Sequence, residues 1–296
     1  MDSTQTTPDP RAEAARLALQ VGTGFILSGA LSVALELRIP DKLAGGPKTA
    51  EALAAEADVL ADPLYRMLRA LAMVGIFTEQ APRTFALTPA AELLRSDVPG
   101  SLYGIARWMT SPTIRRVHTE GLYSVKTGKP AAEVVLGQPT FDYFADHPDV
   151  SEVFNEGMTS MSAAVIPAVL EAYDFSHIGT LVDIAGGHGK VLTSILEKYP
   201  RMKGVLVDVD HVIAGAKARI EAAGLQGRCT AVAGDFFKAV PAAGDAYIMK
   251  HILHDWNDEQ AAIILTNIRA QLKGRPNGRV LLLEAVIRPG NEPDFA

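Results

Sequence analysis

The 296-residue sequence predicts an α/β protein in two parts, a helical N-terminal module followed by a parallel sheet wrapped by helices. Three observations predict it. Ala and Leu recur at helical spacing through the first third, where no strand signal appears. From Thr180 onward, short β-rich runs alternate with helical ones. Between them, Leu181-Val-Asp-Ile-Ala-Gly-Gly-His-Gly-Lys190 joins an apolar strand ending in Asp183 to a helix through three crowded glycines.

In chain order, Met1 to Arg11 is polar with two prolines and no apolar leader core. Helical periodicity then covers Ala12–Leu37 and Ala50–Val59. Within the first of these, Val21–Leu35 is interrupted by Gly22, Gly24, Ser28 and Gly29, so it reads as a buried, closely packed helix rather than a membrane span. Asp62-Pro63 is expected to cap a helix over Leu64–Val74 that Gly75 ends, before an extended stretch, Ile76–Leu87, interrupted by Pro82. This outlines a winged helix over residues 11–98. DNA binding is disfavoured, because the third helix offers only Arg66 and Arg69 and the chain carries a net charge of −6. Packing or dimerisation is the better expectation for this module.

Residues 99–296 begin with linking helices through Tyr173, among them a Gly128–Pro130 turn and Asp142–His147. Strands are then expected at Leu181–Ile184, Val205–Val209, Cys229–Ala233, Ala246–Met249 and Val280–Leu283, with helices over Val191–Lys198 and Glu259–Leu272. In such a sheet a ligand binds at the carboxyl ends of the strands. With 48% apolar residues the chain can bury a sizeable core. Its acidic balance favours neutral or amphipathic small molecules over nucleic acid or anionic membrane. The single cysteine, Cys229, excludes an intramolecular disulfide and suggests the cytoplasm.

Gly186, Gly187 and Gly189 let a ligand approach bare backbone at a helix N-terminus. A tight connection with no ligand is the plainer alternative. Asp208 follows about twenty residues later, where an acid can accept from both ribose hydroxyls. The glycine spacing is not the GxGxxG of dinucleotide dehydrogenases, which disfavours a nicotinamide oxidoreductase. Gly234-Asp235-Phe236-Phe237 places an acid beside aromatics, suited to an adenine amino group and ring, although either acid could instead cap a helix. Lys250-His251-Ile-Leu-His254-Asp255-Trp256-Asn257-Asp258-Glu259 gathers histidines and carboxylates at one strand end. His254 is the expected general base and His251 a structural histidine; Asp255 either orients a ring or caps the next helix, with Asn257 competing for the cap. Metal binding is disfavoured, since His-x-x-His supplies only two ligands.

Phe154–Met158, Leu181–Lys190, Gly204–Asp208, Gly234–Phe237, His251–Trp256 and Leu281–Val286 together resemble, over nearly the full chain, the S-adenosylmethionine (SAM)-dependent O-methyltransferases of the plant and bacterial small-molecule type. The resemblance implies a Rossmann-like methyltransferase sheet and an N-terminal winged-helix-like domain that forms a homodimer. It implies that the Gly186 turn holds the methionine and ribose side, Asp208 the ribose, Asp235 the adenine and Phe236 the base plane. Lys250 lines the cofactor pocket and Ser162 reaches the cofactor carboxylate. His254 is the base, bracketed by Glu284, and Asn155, Met158, Met161 and Trp256 are acceptor-pocket candidates, the methionines alternatively filling core. A metal-independent transfer to a hydroxyl of an aromatic or polyketide-like metabolite follows, with S-adenosylhomocysteine (SAH) as product. The end at Glu292–Ala296, soon after the fifth strand, leads to the expectation of a truncated chain lacking the last strands, and so to the alternative of a noncatalytic SAM-binding relative. His188-Gly-Lys190 and Asp210 depart from the pattern without an assigned role.

Overall fold

The computed structural model describes residues 9–291, so the polar stretch before Asp9 and the Glu292–Ala296 end lie outside the described residues. The chain divides into two compact units, Met1–Ser160 and Met161–Ala296.

The first unit opens with α1 (Pro10–Glu36), whose start is fixed by Pro10 and by the Asp9 carboxylate accepting the Arg11 N–H at 2.9 Å. Then come α2 (Ile39–Lys42), β1 (Lys48–Thr49), α3 (Ala50–Ala57), α4 (Ala61–Met73), the hairpin β2 (Phe77–Ala81) and β3 (Thr84–Leu87), and α5 (Pro89–Glu92). The linking helices are α6 (Tyr103–Met109), α7 (Pro112–Thr119), α8 (Gly121–Thr127), α9 (Ala131–Leu136), α10 (Thr140–Asp146) and α11 (Pro148–Ala172), the last running across the division between units. Ala34, Ile39, Leu53, Leu68, Phe77 and Phe85 form the core of the winged-helix-like part.

Three expectations need correction here. A strand does occur in the first third: β1 pairs antiparallel with β3, a two-residue addition too short to show as alternation. Helix α4 starts at Ala61 after Leu60, so Asp62 sits inside the first turn, where its charge faces the positive helix end, instead of at the cap. Helix α1 is not buried. Val21 is 75% and Phe25 71% exposed, only Ala34 and Leu35 are buried, and nothing approaches the positions a side chain would take at Gly22 or Gly24. By length and apolar composition alone, α1 and α11 are long enough to cross a membrane.

The second unit contains β4 (Thr180–Ile184), α12 (Lys190–Lys198), β5 (Lys203–Asp208), α13 (Asp210–Ala222), β6 (Cys229–Ala233), β7 (Ala246–Lys250), α14 (Asp258–Gln271) and β8 (Arg279–Leu283). All five strands are parallel, in the order β6-β5-β4-β7-β8. The chain builds outward from β4 through β5 to β6, then returns to the other side of β4 for β7 and β8. That reversal opens a crevice at the carboxyl ends of β4 and β7. Leu181, Leu206 and Ile248 face one apolar layer with Leu192, Ile195 and Ile213; Val182, Val207 and Tyr247 face the other with Ile264 and Ile268. Strand β8 is one edge of the sheet, and the described residues after it, through Asn291, form no further strand.

Candidate active site

The turn after β4 has the backbone that its glycines suggest. Ala185, Gly187 and Gly189 all take positive φ, at 54°, 57° and 78°. Gly186 is fixed by proximity instead: a Cβ there would lie 2.7 Å from the Asp183 carboxyl carbon. The backbone therefore rests directly on Asp183, a buried side chain whose Oδ2 has no hydrogen-bond partner. Burial foremost, and the nearby Asp208 charge, push the Asp183 carboxyl up to about 7, against the opposing pull of Lys250 and of the Leu192 N–H in the first turn of α12.

Asp208, at the end of β5, braces this turn from the side. Its Oδ2 accepts the Gly187 N–H at 2.7 Å and its Oδ1 accepts the Val209 N–H at 2.7 Å. Burial raises its carboxyl and those two hydrogen bonds lower it. Past β6, the Gly234 N–H donates to the Asp208 carbonyl at 2.9 Å. Asp235 Oδ1 accepts the Phe237 N–H at 3.0 Å, and Lys238 Nζ lies 3.1 Å from its Oδ2. Phe236 and Phe237 pack together, and Phe237 meets the Trp256 ring edge-on at 4.7 Å. Asn267 on α14 holds the loop down, its Nδ2 donating to the Phe236 carbonyl at 2.8 Å and the Phe237 carbonyl at 3.0 Å. The sequence reading missed Asn267, because no local motif links a mid-helix amide to a loop thirty residues earlier.

The histidine cluster follows β7 on the same edge of the sheet. Glu284, directly after β8, accepts the Ile252 and Leu253 N–H groups through Oε1 at 3.1 and 3.0 Å. That locks its carboxylate, and Oε2 lies 3.0 Å from His254 Nδ1, off the axis of an aligned hydrogen bond. His254 sits on a short 3-10 turn, Leu253–Asp255, with Asp255 Oδ1 3.4 Å from its Nε2. Asp255 is thus a neighbour of the imidazole. The cap of α14 belongs to Asn257, whose side chain accepts the Gln260 N–H at 2.9 Å in a reciprocal capping box. Burial raises the Asp255 carboxyl, partly offset by His254. Burial likewise lowers the Lys250 ammonium, while Asp183 and Glu284 pull it back up.

The remaining candidates lie on α11 and beside the phenylalanine pair. Asn155 and Met158 belong to the first unit and Met161, Ser162 and Trp256 to the second. Asn155 is buried, its Nδ2 donating to Ser151 Oγ at 3.3 Å one turn away, and Ser162 is buried too. Among the described residues, no three His, Cys, Asp or Glu side chains gather as a metal site.

The donor set at the strand ends suits an adenosyl cofactor: bare backbone, two acids in succession and an aromatic pair. Comparison with known proteins agrees. Residues 122–294 match the O-methyltransferase domain and residues 19–97 the O-methyltransferase dimerisation domain. The chain belongs to the O-methyltransferase family. This methyltransferase is 41% identical over 277 residues to phenazine O-methyltransferase PhzM of Lysobacter antibioticus, covering 94% of this chain and 80% of that protein. It is similar to the crystal structure of LaPhzM, with a TM-score of 0.88 and 39% identity over 95% of this chain and 84% of that one. It is also similar to NcsB1 from neocarzinostatin biosynthesis, solved with SAM and 2-hydroxy-5-methyl naphthoic acid, with a TM-score of 0.71 and 30% identity over 87% of this chain and 79% of that one. SAM is the methyl donor of the family. These comparisons do not bear out the expectation that the chain is truncated.

Proposed function

We propose that this methyltransferase methylates a hydroxyl of a small aromatic or polyketide-like secondary metabolite, with His254 as a metal-independent general base. The observation that carries the base assignment is the pairing of His254 Nδ1 with Glu284 Oε2 at 3.0 Å, behind a carboxylate already pinned by two backbone N–H groups. The phenazine acted on by one relative and the naphthoic acid held by another support an aromatic acceptor.

The glycine turn from Gly186 to Gly189, Asp208, Asp235 and Phe236 would hold SAM, with Asp183 and Lys250 beneath and Ser162 toward its carboxylate. Bound there, it supplies an electrophilic sulfonium methyl. His254 does the proton work. A small rotation aligns Nδ1–H with Glu284, which leaves the Nε2 lone pair for the acceptor hydroxyl; such contacts commonly tighten only with substrate in place. A phenol is a much weaker acid than an imidazolium, so complete proton transfer before attack is uphill. The proton therefore moves to Nε2 as attack proceeds, and the carboxylates of Glu284 and Asp255 stabilise the imidazolium that forms. Asp255 Oδ1, 3.4 Å from Nε2, has to turn aside to admit the hydroxyl.

The exposed apolar side of α1, which from residue 19 onward falls within the segment matching the dimerisation domain, supports a homodimer. The acidic net charge supports a partner set without nucleic acid or anionic membrane, and the lone, buried Cys229, its thiol pushed up to about 11 by burial, supports the cytoplasm. The deciding experiment is His254→Ala with methyl transfer and SAH affinity measured together. The reading requires a rate loss of about 100-fold or more with affinity within twofold. An unchanged rate, or full dependence of the parent enzyme on an added divalent ion, removes it.

A further inference from the structure

We propose that His251 is a specificity-determining hydrogen-bond donor of the acceptor site, so that the preferred acceptor carries a second hydrogen-bond-accepting group, such as a ketone or quinone oxygen, next to the hydroxyl that is methylated. The proposal rests on the reading of His254 as the base and narrows its substrate class.

His251 breaks from β7 with φ at 55°, in the left-handed region, and is held there by its N–H donating to the Leu283 carbonyl at 2.9 Å. Its Nδ1 lies 3.4 Å from Lys250 Nζ. An ammonium has donors and no lone pair, so Nδ1 must be the acceptor, and the one ring proton of the neutral imidazole must sit on Nε2. Burial, the Lys250 charge and His254 all push the His251 pKa down, against Glu284, so the ring is neutral at cellular pH. The charged and titratable groups around it are Lys250, His254 and Glu284, with Asp183 behind Lys250 and Asp255 beyond His254.

The two imidazoles lie side by side, centroids 5.3 Å apart and planes inclined by 33°. Opposite neighbours give them opposite polarity. In the base arrangement proposed above, Glu284 takes the Nδ1–H of His254 and Asp255 turns away from its Nε2, which is then basic; Lys250 lies against Nδ1 of His251 and leaves an Nε2–H donor. A base beside a donor matches a hydroxyl beside an acceptor atom, each satisfied by a hydrogen bond of about 2.9 Å. An acceptor lacking the second group would leave the Nε2–H of half-buried His251 poorly satisfied, the kind of loss on which discrimination depends.

The test measures binding to the SAH complex by calorimetry, with 2-acetyl-1-naphthol and 1-naphthol as probes. The parent should prefer 2-acetyl-1-naphthol by about tenfold, corresponding to one neutral hydrogen bond. His251→Ala should remove that preference while SAH affinity stays within twofold, and His251→Gln, which keeps a donor, should restore part of it. The proposal is overturned by a parent that binds neither probe or binds both alike, by a preference that survives His251→Ala, or by a His251→Ala variant that loses SAH affinity, which would put the ring on the cofactor. Because the readout is binding without turnover, it stands or falls separately from the activity of His254→Ala.

Discussion

Replacing Asp183 by Asn tests whether the buried carboxyl under the glycine turn takes up a proton near neutral pH. The folded-state value of about 7 lies above the ordinary aspartate value of 3.8. The folded protein therefore binds more protons than the unfolded chain between those limits. For an acid raised on folding, the favourable contribution is complete below pH 3.8 and is lost as pH rises through 7. The full difference is at most about 4 kcal/mol, at 1.36 kcal/mol per pKa unit, and the portion falling between pH 5 and pH 8 is about 2 to 3 kcal/mol. Asn has nearly the same shape and no titration. Urea unfolding of parent and variant across that range should show the variant gaining on the parent by this amount as pH rises, with no further gain above pH 8. Parallel stability curves would refute the account of Asp183 as a proton-holding group. The variant's SAH affinity, compared at pH 6 and pH 8, reports whether the carboxyl's charge matters to the turn above it.

Three further outcomes follow from the geometry. Glu284→Gln keeps an acceptor for the Ile252 and Leu253 N–H groups but removes the charge behind His254, so kcat should fall by about tenfold or more with little change in thermal stability; an unchanged kcat argues against the pairing. Gly186→Ala drives a methyl into the Asp183 carboxyl and should lower stability by about 1 to 3 kcal/mol and weaken SAH binding, checked by thermal melts and calorimetry. Phe25→Asp on α1 should shift sedimentation toward the monomer while leaving far-UV circular dichroism intact, because Phe25 is exposed in the single chain; a dimer of unchanged affinity would place the interface elsewhere.

The parallel sheet was legible because each strand is a short apolar run ending at a turn signal, and Cys229–Ala233 was placed to the residue. The backbone of the glycine turn was legible for the same reason: its glycines, the preceding acid and the acids at the ends of the next two strands are local signals at a characteristic spacing. Pairing across distance was not legible from local signals. The family resemblance, and no spacing in the chain itself, set Glu284 beside His254 thirty residues away, and nothing pointed to Asn267, thirty residues from the phenylalanine loop. The error at α1 has another cause. Apolar content indicates that a surface is to be covered, and does not say whether the same chain covers it. The choice between Asp255 and Asn257 as helix cap was likewise undecidable from composition, since both side chains cap well; the reciprocal partner Gln260 decided it.

Asp208 has both carboxylate oxygens engaged by backbone N–H groups before any ribose arrives. Mutating it would therefore confound loss of the proposed ribose contact with loss of a scaffold clasp, and a dead variant would not say which was broken. Altering the ligand avoids the ambiguity. A 2′-deoxy or 3′-deoxy analogue of SAH leaves the protein untouched, so the affinity it forfeits measures recognition of that hydroxyl with the clasp intact.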